Sequence, residues 1–68
     1  MNIDIRENIY SNLKNESIEE IINIINESVI TKDEIVLPGL GVILELVWNN
    51  LKKEEKEHIA YIIREKLR

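Results

Sequence analysis

The stretch Val42-Ile43-Leu44-Glu45-Leu46-Val47-Trp48 constrains this chain more than any other part of it. Together with Leu51 it places apolar side chains almost all the way round one helix, and only Glu45 interrupts the ring. A helix that is apolar on every side is expected to lie among other helices, because alone in water it would expose its whole surface. Val42, Ile43, Leu46, Val47, Trp48 and Leu51 are therefore candidate core residues, or a surface for self-association. Trp48 reads as an anchor of that core rather than a ligand platform. Immediately upstream, Leu37-Pro38-Gly39-Leu40-Gly41 gathers both glycines and the single proline of the chain. Proline disfavours helical angles in the residue before it, and glycine can adopt positive φ. The expectation is a sharp corner that feeds a buried central helix, with Leu37 and Leu40 tucked into the core. Proline is also well placed in the first helical turn, where its missing amide has no partner to lose. If Gly41 takes positive φ, Gly41→Val should destabilise strongly.

The flanking segments supply the helices that would surround this one. Ile5, Ile9 and either Tyr10 or Leu13 recur at helical spacing, with Asp4 as the cap and Asn15 as the stop. Ser17 followed by Glu20 has the form of a capping box. Ile18, Ile21, Ile22, Ile25 and Val29 then line one face, and Glu19, Asn23, Asn26 and Glu27 fill the other. The Thr31-Lys32-Asp33 run breaks this period, and Thr31 or Asp33 can cap the next segment. The last segment carries Ile59, Ile62, Ile63 and Leu67 with Tyr61 beside them. Its early glutamates and late cations suit the helix dipole. The fold class expected is all-α: one small domain over residues 1–68, with three main helices, a short N-terminal helix and no strand.

Size and charge narrow the function classes. A chain of 68 residues buries only about 60% of its unfolded surface, so its core is marginal. No cysteine is present, so neither a disulfide nor a thiolate metal site can help. Stability must come from helix packing, assisted by self-association. The net charge of −4 lacks the basic stripe that nucleic-acid binding draws on. Lys52, Lys53, Lys56, Arg64, Lys66 and Arg68 do cluster late, but Glu54, Glu55, Glu57 and Glu65 are interleaved with them. That pattern describes a solvated helix face with internal ion pairs. The N-terminus has no basic region followed by an apolar stretch, and no segment is long and apolar enough for a bilayer. The protein is expected to stay in the compartment that makes it, with no membrane partner.

No catalytic constellation emerges. His58 is the only histidine, with Glu54 and Glu55 one turn before it, and it lacks companions at ligand spacing. Ser11, Ser17, Ser28 and Thr31 have no base at a motif spacing. Leu37-Pro38-Gly39-Leu40-Gly41-Val42 lacks the Lys-Ser/Thr ending of a nucleotide-binding loop. The expectation is no enzyme, no cofactor, no metal and no small-molecule substrate. One alternative remains for the glycine stretch. It resembles the hairpin of helix-hairpin-helix DNA-binding motifs, in which glycine amides at a helix start meet a phosphate. Lys52, Lys53 and Lys56 would then be the assisting cations, although the residues following Gly41 are apolar or acidic.

A longer resemblance covers nearly the whole chain. Leu37-Pro-Gly-Leu-Gly-Val42, an apolar pair, Glu45, two apolar residues and Trp48 resemble the signature of the small, acid-soluble spore protein I family of spore-forming Firmicutes. Ile5-Arg6, Asn12, Ser17, Glu19-Glu20, Asp33-Glu34 and Glu55-Lys56 also fall at positions similar to that family's. Leu44 stands where the family carries an aromatic residue, and Leu51-Lys52-Lys53 replaces a cap-like serine before the last helix. The resemblance implies a minor protein made in the forespore and laid down in the spore core, without catalytic activity or cofactor. A homo-oligomer or a protein partner would be its mode of action, and DNA association the alternative.

Overall fold

In the computed structural model, which describes residues 4–68, the chain is all-α, with no strand among the described residues. Helix α1 spans Ile5–Leu13, α2 Ile18–Thr31, α3 Leu37–Trp48 and α4 Lys53–Leu67. A single 3₁₀ turn, Glu34–Val36, runs directly into α3.

Asp4, Ser17 and Asp33 act as N-caps, the Ser17–Glu20 capping box through its serine half, and of Thr31 and Asp33 it is Asp33 that caps. The Asp4 carboxylate accepts from the Glu7 amide at 3.1 Å and the Ser17 hydroxyl accepts from the Glu20 amide at 3.0 Å. The Asp33 carboxylate accepts from the Ile35 amide at 3.0 Å and so starts the 3₁₀ turn. Each bond pairs an amide that has no partner within its own helix. Near the end of α2, Ser28 and Thr31 donate back to the carbonyls of Ile24 and Glu27. Helix α4 begins differently. Its N-cap is Lys52, which carries no side-chain acceptor, so the reciprocal half alone is made: Glu55 accepts from the Lys52 amide at 2.7 Å.

The expected glycine corner takes another form. Neither Gly39 nor Gly41 has positive φ. Leu37 is right-handed helical despite preceding Pro38, with φ −60° and ψ −43°. The stretch is simply the first turn of α3. The 3₁₀ turn explains why this is tolerated. It delivers the chain already wound, the Leu37 amide donates to Glu34, and Pro38 falls where an amide is dispensable. The reversal between α2 and α3 lies earlier, at Lys32, whose φ of 53° is left-handed. Glycine or asparagine more commonly fills such a helix end.

α3 is the hub, but its neighbours wrap it on one side only. Val42, at 8% exposure, is its single buried residue, while Gly39, Leu40, Ile43 and Trp48 are half-buried. Leu37, Leu44, Leu46 and Val47 remain exposed. Leu40 packs inward as expected, whereas Leu37 does not. The reason lies in reach: α1 has nine residues, enough to cover one flank of α3 and no more. Helix α2 turns much of its own stripe to solvent, with Ile18 80% exposed and Ile22 and Val29 also open. Helix α4 leaves Tyr61, Ile62, Ile63 and Leu67 open.

Candidate functional site

The closed side of α3 is where α1 crosses it. A Cβ added to Gly39 would meet the Ile9 side chain at 3.2 Å, so the bare α-carbon of Gly39 is what lets α1 settle there. Beside this contact, Arg6 donates through Nε to Glu45 Oε1 at 2.7 Å and through Nη2 to Glu45 Oε2 at 2.8 Å. The fork is bidentate and joins positions 39 residues apart. Among the described residues it is the only ion pair between helices; the others, Arg64–Glu65 and Arg68–Glu65, lie within the end of α4. The hydrogen bond from Arg6, with its charge, holds the Glu45 carboxyl below the usual carboxylate range, against a smaller opposing effect of desolvation. Reciprocally the carboxylate raises the Arg6 guanidinium further above its already high value.

This pairing was not drawn from the sequence, although a signal for it existed. Glu45 is the one charged residue of an otherwise apolar helix, so a partner from another element was to be expected. Arg6 is the first cation of the chain and lies one turn from Ile9 and Tyr10 on α1.

Helices α1, α2 and α3 line an open groove of about 410 Å³. Its walls are mainly Ile5, Ile9, Ile24, Leu40 and Ile43, with Asn8 among the polar groups. A shallower dimple next to it has Val29 and Leu37 on its walls, which makes the outer ends of α2 and α3 one continuous apolar surface.

The remaining candidate residues lie at the other end of α3. Leu51 is half-buried in the turn to α4, where Asn50 Nδ2 donates to the Leu46 carbonyl at 2.8 Å. The Lys56 ammonium sits 5.6 Å from the centre of the Trp48 ring, a cation–π distance. Lys52 and Lys53 begin α4 and are exposed. Gly39 and Gly41 thus sit in the first half of α3, third and fifth of its 12 residues, whereas these lysines lie beyond its C-terminal end, at the start of α4. The structure does not bring them together. His58 is exposed on α4. Among the described residues, no group of three or more His, Cys, Asp or Glu side chains is arranged to hold a metal ion, and no helix is long and apolar enough to cross a membrane.

A family model described as small, acid-soluble spore protein I matches residues 3–67. The chain belongs to that family. A small, acid-soluble spore protein I of Halalkalibacterium halodurans is 30% identical over 60 residues, covering 88% of each chain. One of Geobacillus kaustophilus is 32% identical over 57 residues, covering 84% of this chain and 83% of its own. One of Bacillus licheniformis is 26% identical over 68 residues, covering all of this chain and 97% of its own. No solved structure matches. The small, acid-soluble spore protein I family is a spore-protein family and not a known enzyme family, which supports a role in the spore.

Proposed function

We propose that this protein is a non-enzymatic component of the spore core, laid down in the forespore, and that it acts through self-association. The observation that carries the reading is how much surface one chain leaves uncovered. A folded monomer of 8.0 kDa would expose about 4,450 Å². This chain exposes 6234 Å², an excess of roughly 1,800 Å² over that expectation. Its radius of gyration is 13.5 Å, against about 11 Å for a compact chain of this length. Apolar side chains of α2, α3 and α4 are among the groups left exposed, and a domain this small has little core to spare. Association would complete what one chain leaves open.

Two measurements test the two halves of this reading. Protein abundance in the core fraction of purified spores should far exceed that in growing cells; equal abundance would remove the spore role. Light scattering on the purified chain should give more than the monomer mass, and a monomer at every concentration would remove self-association. The DNA alternative requires Gly39, Gly41 and the lysines to act together, and their placement on two different helices, α3 and α4, favours the first reading.

A further inference from the structure

Gly41 makes no close packing contact within its own chain that a side chain would disturb. Its φ is not positive, and a Cβ built on it would meet nothing within 4 Å. Glycine in a helix interior is a poor helix former compared with alanine. An empty position of this kind matters only to something that approaches from outside. Gly41 lies on the open side of α3, in a stripe with Leu37, Leu44 and Trp48 at i, i+4, i+7 and i+11. Leu37 is 59% and Leu44 53% exposed, and Trp48 is half-buried. From Leu37 to Leu44 the stripe is uncharged, since Glu45 is turned to Arg6, and the one neighbouring cation, Lys56, sits over Trp48 at its far end.

We infer that two copies of the chain pack α3 against α3 in an antiparallel crossing, with the two-fold axis passing beside Gly41. The inference rests on the self-association reading and specifies its surface. Gly41 is the fifth of the 12 residues of α3, close to the middle of the helix. A two-fold axis there sets Leu44 of each copy beside Leu37 of the other, with the two Gly41 positions as the notch where the backbones approach. Side-chain size at the crossing sets how closely two helices come, and glycine permits the closest contact. The antiparallel arrangement also opposes the two helix dipoles.

A second copy fits this surface better than a foreign helix does. The stripe is self-complementary, ridge beside notch, as an isologous interface requires. Its Leu37–Leu44 part offers no charge pattern for choosing a different partner. The α3 stripe is one part of the chain's excess exposure of roughly 1,800 Å², and a second copy seated on it would cover that part.

Sedimentation equilibrium of the full chain, with circular dichroism of the same samples, tests this. The wild type should sediment as a dimer. Gly41→Leu and Leu44→Glu should each weaken dimerisation by about 100-fold or more, the first by filling the notch and the second by burying a carboxylate against Leu37 of the other copy. Gly41→Ala carries no folding risk on an open helix face, and it should weaken dimerisation by about tenfold while helicity holds or rises. A wild type that stays monomeric overturns both the crossing and the self-association reading. A wild-type dimer that all three variants leave unchanged overturns the crossing alone and moves the interface to another face.

Discussion

The two glycines of α3 stand two residues apart and face nearly opposite ways. Gly39 looks inward, where its bare α-carbon admits Ile9 of α1. Gly41 looks outward onto open space. Around Gly39 the chain has closed its surface, with Val42 buried and Arg6 forked onto Glu45. Around Gly41 it has left leucines in water. A motif that reads as one backbone device therefore serves two separate packing demands, one met by the chain itself and one still unmet. Neither demand is the positive φ that glycine-rich stretches usually suggest.

The sharpest way to break this contrast is Val42→Asp. It places an unpaired carboxylate at the one buried position of the closed side. A loss of about 3 kcal/mol or more is expected, enough to unfold so small a domain, and urea titration followed by helical signal measures it. A stable Val42→Asp protein would show that the α1 side is not the core.

Exchanging each glycine for alanine compares the two sides directly. Gly41→Ala gains helix propensity with no clash, so the monomer should be stabilised by up to about 1 kcal/mol. Gly39→Ala gains the same propensity but presses on Ile9, so its net change should be clearly smaller or negative. Equal melting shifts for the two would erase the distinction between the faces. By the same logic, Gly41→Val should leave the monomer close to wild type, contrary to what a positive φ would have dictated.

Lys52→Ser sharpens the comparison from a third region. It would complete the cap of which only the Glu55 half now exists, for a gain of about 0.5–1 kcal/mol in thermal unfolding. No gain would mean that the start of α4 is held by other means, such as Lys56 on Trp48.

The smallest effect belongs to the Arg6–Glu45 pair, because both side chains remain well exposed. Its pH dependence has a definite sign. The carboxyl of Glu45 is held lower in the folded state than in the unfolded chain, so its contribution is present above the ordinary carboxylate range. That contribution is lost as pH falls through this range and past the lowered value. Arg6 stays charged throughout. Urea midpoints should fall more on acidification for the wild type than for Glu45→Gln. Identical pH profiles would mean that the fork adds nothing to the closed side.

Much of the fold was legible in the sequence because its signals are local. Asp4, Ser17 and Asp33 each precede a free amide by two or three residues, and each accepts from it. The stripes on α1, α2 and α4 set helix type and approximate bounds, because period alone distinguishes helix from strand. Other features escaped. Periodicity shows which residues share a face but not whether another element covers it, so Leu44, Leu46 and Val47 looked buried. Pro38 biases Leu37 away from helix only weakly, and a preceding 3₁₀ turn overrides that bias. Lys32 turns left-handed without a glycine to announce it. The Arg6–Glu45 fork is non-local, and only the isolation of Glu45 hinted that a distant cation would answer it.

The fork has one more consequence. It fastens two points 39 positions apart, and the whole of α2 lies on the intervening chain. A segment held at both ends but lightly packed between them can unwind and rewind without freeing either anchor. Amide hydrogens of α2 should therefore exchange before those of α1 and α3, and cutting the fork should extend that early exchange to α1.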